Sequence, residues 1–289
     1  MRMSGWILAL GMALGTGCAA SAQPVGDQGF PPALRGTWAV GSCESAELVL
    51  RVTGASIVEL PSGGEQRLLR ARSIETLRQG WLLATDATPE QRRLMLRIEG
   101  PQFARPSPKV LDDVLPGDAI VSTLTRCASL PARLALLHGE GLRFLGELER
   151  IEAVCVGSDA RACIDAVMDY ADVSRDGALS VAELARIVRG TTYVSQLAAG
   201  SSEPELAAGL AAGSLAALAL GQAVIQAVDY NGDGKAGLDE LLQDRLPLPD
   251  QPDAGRVLVD GPLGALAGQA GTLRSLFDLL WGEVQRGMP

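Results

Sequence analysis

The sequence predicts an α+β chain: an N-terminal antiparallel β-barrel or sandwich, then an α-helical pair of helix–loop–helix units, then a C-terminal helix. Between about Pro31 and Glu149, short runs rich in Val, Ile and Leu are separated by Gly, Pro, Ser or Asp, the punctuation of strands and turns. Farther on, two twelve-residue acidic stretches each lie between apolar residues spaced along one helix face. Charge divides at the same place. Residues 1–146 carry 15 basic and 13 acidic side chains, a net of +2, whereas residues 147–289 carry 10 and 21, a net of −11. A chain of 289 residues has room for about two domains, and an acidic half of this kind attracts cations and repels nucleic acid.

Residues 1–22 hold one charge, Arg2, an apolar run from Trp6 to Leu14, and small residues ending Ala20-Ser21-Ala22. That is the pattern of a secretory signal peptide, with an apolar run too short to span a bilayer. A second cleavage reading exists at Gly15-Thr16-Gly17-Cys18, which resembles a bacterial lipoprotein box with Cys18 lipidated. Either reading predicts a periplasmic or secreted protein, membrane-attached in the lipidated case. Four further cysteines remain: Cys43, Cys127, Cys155 and Cys163. An even count in an exported chain predicts disulfides. Three connectivities are open; Cys43 with Cys127 and Cys155 with Cys163 would keep each bridge inside one domain. A zinc site has little support, since no Cys-x-x-Cys occurs and the single histidine, His138, is remote from any cysteine pair.

The β-domain is expected over residues 30–149, with strands such as Glu47–Val52, Ser56–Leu60, Trp81–Thr85, Leu94–Ile98 and Ala119–Leu124. Short strands in this succession suit an antiparallel meander closed, or nearly closed, on itself. Its opening Gly36-Thr37-Trp38 resembles the first-strand signature of lipocalin-like barrels, which implies a ligand cavity. Trp38 as a plug at one barrel end is the alternative. Arg67, Arg70, Arg72, Arg78, Arg92, Arg93 and Arg97 read as a solvated face, or as a surface for an anionic ligand or acidic partner.

The acidic stretches run Asp172 to Glu183 and Asp229 to Glu240. A hard cation demands six to eight oxygens on a small sphere, which a tight loop supplies when alternate side chains turn inward and a glycine permits the mid-loop bend. In the first loop the inward set is Asp172, Ser174, Asp176, the Ala178 carbonyl, Ser180 and a bidentate Glu183, with Gly177 at the bend. In the second it is Asp229, Asn231, Asp233, the Lys235 carbonyl, a water under Gly237 and a bidentate Glu240, with Gly234 at the bend. Ile164, Val167, Met168 and Ala171 precede the first loop at helical spacing, and Gly221, Val224, Ile225 and Val228 precede the second. Over residues 159–246 the chain thus resembles the EF-hand calcium-binding superfamily. The resemblance implies two helix–loop–helix hands at 155–246 and two Ca2+ ions on the ligands just named. The loops start 57 positions apart, and Ala236 stands where the family usually has a larger apolar residue opposite Leu179; pairing of the loops is left open.

Between the loops, Leu206 to Val228 carries no charge and would be long enough to cross a membrane. Gln222 and Gln226, and the need to keep both loops on one side, favour a buried helix whose Ala and Gly let neighbours approach closely. Ser201-Ser202-Glu203-Pro204-Glu205 supplies its start signals. A proline-rich linker at 247–260 precedes a C-terminal helix at 261–289, whose Leu273, Leu276, Phe277, Leu280 and Trp281 form one apolar stripe.

The sequence shows no His-Glu-x-x-His, no Gly-x-Ser-x-Gly and no Walker loop. Gly232 to Gly237 spells a dinucleotide-binding glycine pattern, but no strand precedes it and Asp229, Asp233 and Asp239 would repel a pyrophosphate. The expectation is a non-enzymatic, exported calcium-binding module, its ions stabilising a structural or interaction unit whose partner is another cell-envelope protein. A calcium sensor with a displaceable C-terminal helix, and a small-ligand carrier or enzyme in the β-domain, are the alternatives.

Overall fold

A computed structural model describes residues 29–243, apart from 87, 89, 90, 108, 109, 112 and 113. The expected leader, Cys18, the expected proline-rich linker and the expected C-terminal helix lie outside the described residues.

Eight strands, β1 (Gly36–Val40), β2 (Leu48–Val52), β3 (Ser56–Pro61), β4 (Arg67–Thr76), β5 (Trp81–Asp86), β6 (Arg93–Arg97), β7 (Gln102–Ala104) and β8 (Val121–Cys127), pair with their sequence neighbours. β8 then pairs antiparallel with β1, Thr37 opposite Cys127, and closes the barrel. Side-chain alternation sorts every strand into two environments. Leu48, Leu50 and Val52 of β2, Ile57 of β3, Leu69 of β4, Leu82 of β5, Leu94 and Leu96 of β6 and Phe103 of β7 fill the interior. The intervening Val49, Val58, Leu60 and Leu68 face outward and pack with the helices. On the far side, Trp81, Leu83, Met95 and Ala104 are covered by Leu77, Leu115 and Ala119. Strands buried on both faces lose the apolar–polar alternation of a solvated sheet.

Trp38 packs into the barrel core: it is 4% exposed, its indole N–H donates to the Leu34 carbonyl at 2.6 Å, and Arg126 lies over its ring at 5.5 Å. The Cys43–Cys127 disulfide straps the seam where β8 meets β1.

The last strand ends at Cys127, and Ala132–Val156 forms a helix, α1. The expected β-domain boundary at 149 therefore moves back. The cause is an apolar set at helical spacing, Leu134, His138, Gly141, Leu145, Leu148, Ile151 and Cys155, all buried. Cys155–Cys163 links α1 to α2 (Ala160–Ala171), whose N-cap Asp159 accepts from the Ala162 N–H at 2.8 Å. The helices α3 (Val181–Ala199), α4 (Glu203–Val228) and α5 (Leu238–Leu242) follow.

Polar contacts bind the two halves together. Glu149 of α1 accepts from the Thr53 hydroxyl at 2.6 Å and the Ala55 N–H at 3.0 Å. Arg70 pairs with Glu152, and Gln66 donates its backbone N–H to Ser201 at 2.9 Å. The arginines expected on one solvated face are thus dispersed: Arg70 reaches α1, Arg92 pairs with buried Asp86 at 2.8 Å, and Arg93 donates to the Val110 carbonyl at 2.6 Å.

The uncharged stretch forms α4, started by Ser202 and Glu205 as its composition predicts. It is not buried on most sides. Only Leu206, Gly213, Ala217, Gly221 and Ile225 are buried, while Leu215 is 74% exposed. The buried stripe, small at three of its five positions, is what meets α3: a Cβ at Gly213 would lie 2.9 Å from Thr192, and one at Gly221 2.9 Å from the Val181 carbonyl. By length and composition α4 could cross a membrane, and 22% of its most apolar window is buried.

Candidate metal centre

Both acidic loops sit between helices: Asp172 to Glu183 joins α2 to α3, and Asp229 to Glu240 joins α4 to α5. Their internal hydrogen bonds repeat with the 57-residue offset of the sequence. Asp172 accepts from the N–H groups of Asp176 at 3.2 Å and Gly177 at 2.8 Å; Asp229 accepts from Asp233 at 3.0 Å and Gly234 at 2.8 Å. Asp176 accepts from Ala178 N–H at 3.1 Å, and Asp233 from Lys235 N–H at 2.9 Å. Glu183 reaches back to the N–H groups of Ser174 at 2.8 Å and Ser180 at 2.9 Å, as Glu240 does to Asn231 at 3.1 Å and Gly237 at 2.8 Å. Gly177 and Gly234 carry φ of 84° and 80°, a left-handed turn that a Cβ would strain.

This bonding ties the carboxylates at positions one, five and twelve of each loop to the loop's own backbone N–H groups. Several of these oxygens accept twice: Glu183 Oε2 from the Ser180 N–H and hydroxyl, Asp229 Oδ1 from the Gly232 and Asp233 N–H groups, and Glu240 Oε1 from the Tyr230 and Asn231 N–H groups. Glu183 has two tasks at once, completing a capping box with Ser180 at the start of α3 and closing the first loop. Burial pushes its carboxyl up, but the N–H groups of Ser180 and Ser174 and the Ser180 hydroxyl outweigh that and bring it down to about 2. It is therefore charged at neutral pH without help from a cation. Arg186 braces the same loop from α3, donating to the Tyr170 carbonyl at 2.6 Å and lying 4.0 Å from the Tyr170 ring centroid.

The two loops pair, which settles the point the sequence leaves open. A short ladder, β9 (Ala178–Leu179) with β10 (Ala236–Gly237), places Leu179 opposite Ala236. Ala171, Leu179, Ile225 and Ala236 form a small core beneath it, flanked by Met168, Val181, Leu184 and Val228.

The donor set is hard oxygen throughout, matching calcium rather than a thiolate- or imidazole-seeking metal. Among the described residues no three His, Cys, Asp or Glu side chains form a metal-holding group by themselves. In the first loop one reason is visible. Asp176 turns an oxygen to the ammonium of Lys235, a residue of the second loop. This contact spans 59 positions and left no trace in the sequence pattern, where Lys235 stood only as a carbonyl ligand. By residue type each loop offers three carboxylates, a hydroxyl or amide oxygen and a carbonyl, the oxygen chemistry that calcium takes.

His138 belongs to a different place. It is fully buried, 3.0 Å from the Tyr193 hydroxyl and 3.4 Å from the Gln66 amide nitrogen, where α1, α3 and β4 meet.

The fold and loops together define a β-barrel carrying a paired helix–loop–helix unit. A family model described as EF hand matches residues 164–188, spanning α2, the first loop and the start of α3, and this match points to calcium binding there. No curated protein and no solved structure matches the chain.

Proposed function

We propose that the chain binds two calcium ions, one in each loop, and uses them to hold the helical half in a fixed arrangement on the barrel. The carrying observation is the set of internal hydrogen bonds shared by the two loops at a constant offset, which extends the EF-hand match of the first loop to the second. Asp172, Ser174, Asp176, Ala178, Ser180 and Glu183 would hold one ion; Asp229, Asn231, Asp233, Lys235, a water at Gly237 and Glu240 the other. An ion in the first loop ties α2 to α3, and α3 packs on α1, α4 and the barrel through Tyr193, Val194 and Leu197. Three carboxylates per loop suit affinities of about micromolar to millimolar, looser than those of cytosolic buffers. The disulfides fit an oxidising compartment, in keeping with an exported binding module.

Calorimetric titration of the chelator-treated chain tests this. Two ions are expected in the parent and one in Glu183→Gln or Glu240→Gln. Unchanged stoichiometry and affinity in both variants would refute the assignment.

A further inference from the structure

Lys235 serves both loops with different atoms. Its carbonyl occupies the seventh position of the second loop, while its ammonium crosses the ladder to the Asp176 carboxylate, the fifth-position ligand of the first. Lys235 immediately precedes Ala236, which pairs with Leu179, so the ladder brings Lys235 alongside the first loop. We propose that the Lys235 ammonium is a built-in competitor for calcium in the first loop, lowering that loop's affinity and making the second loop fill first.

The reasoning rests on the calcium assignment above and on charge alone. Asp176 has two oxygens: one accepts the Ala178 N–H at 3.1 Å, and the other is taken by Lys235. A cation entering the first loop draws the same carboxylate and meets a resident positive charge. At a separation on the order of 5 Å in high dielectric, a divalent and a monovalent cation repel enough to change affinity about tenfold. Arg175, also in the first loop, makes a suitable comparison. It sits at φ 59° and adds the same charge, but among the described residues it makes no hydrogen bond or ion pair to the loop's carboxylates.

The test is calcium titration by calorimetry of the chelator-treated full chain carrying Glu240→Gln, which leaves the first loop as the reporting site. Adding Lys235→Gln is expected to tighten that site about tenfold at low ionic strength and by less in high salt. Lys235→Arg, which keeps the charge, should stay within about threefold of the starting affinity, and Arg175→Gln should gain distinctly less than Lys235→Gln. The proposal is overturned if Lys235→Gln leaves the first site unchanged or weaker, or if Arg175→Gln gains as much. Absence of any binding in the Glu240→Gln chain would instead defeat the calcium assignment itself.

Discussion

Ala236 stands directly opposite Leu179 in the ladder that joins the two acidic loops, and both are buried, at 0% and 4% exposure. A methyl group facing an isobutyl group makes an uneven pair, and the small core beneath it depends on the larger partner. Leu179→Ala removes the bulk of that partner from among Ala171, Ile225 and Ala236. The expected loss is about 2 to 4 kcal/mol, transfer plus cavity, read by urea denaturation in the presence of chelator. Because the ladder is the link between the loops, calorimetry should also show both ions binding more weakly. Full retention of both affinities would mean that the loops act independently of their pairing.

The two disulfides close loops of very different length, with separations of 84 and 8 residues. Cross-linking removes chain entropy from the unfolded state in proportion to the logarithm of that length. Replacing Cys43 and Cys127 by serine is expected to cost about 4 to 5 kcal/mol, against about 2 to 3 kcal/mol for Cys155 and Cys163. Denaturant midpoints of the two double variants, measured without reductant, give the order directly. The barrel pair should fall further, because its bond also fastens the seam between β1 and β8.

Burial, with a smaller contribution from Arg133, holds the His138 imidazole down at about 4. In the unfolded chain the same ring takes up a proton near its ordinary value of 6.5. Between those values the unfolded state binds the extra proton, so stability rises with pH there. Its contribution is complete above about 6.5 and is lost as pH falls through about 4. The expected loss between pH 7 and pH 4.5 is about 2 to 3 kcal/mol. His138→Asn should flatten that part of a urea-denaturation profile; an identical slope in parent and variant would show that other groups carry it.

The acidic loops could be read in the sequence because each ligand role is tied to a side-chain type at a fixed position. The barrel was legible as a class for a similar reason, since turn residues mark where strands stop. β4 was missed: Arg67–Thr76 carries charge through its middle, and Arg70 makes sense only once Glu152 of α1 is beside it. α1 was missed because its apolar residues follow the strands without a change in composition, and only their spacing marks the switch. α4 misled in the opposite direction. Uncharged composition implies burial, yet a helix of Ala, Gly and Leu can pack by a narrow stripe and leave Leu215 and Leu218 outward. Lys235 could not be foreseen at all, because its partner is set by the ladder and not by any local pattern.

Where α1 crosses α3, each helix places an aromatic ring over a glycine of the other. Tyr193 of α3 lies against Gly141 of α1, and Phe144 of α1 against Gly190 of α3, so closely that a Cβ would lie 2.1 Å from the Tyr193 ring and 2.3 Å from the Phe144 ring. Both rings are buried, Tyr193 at 1% and Phe144 at 4%. The arrangement lets the backbones approach while two large side chains fill the space beside them, and it fixes the helix that leaves the first loop against the helix that leaves the barrel. Each ring is held from another side as well: Tyr193 by His138 at 3.0 Å, and Phe144 by edge contact with Tyr170. Gly141→Ala and Gly190→Ala are therefore each expected to cost about 3 kcal/mol or more, at the upper end for overpacking. A steric cause makes a specific demand on the double variant. Phe144→Ala combined with Gly190→Ala should be less destabilised than the sum of the single changes, because the methyl group then enters the space the ring has left. Strict additivity in urea denaturation would show that Gly190 matters for its backbone and not for the ring above it.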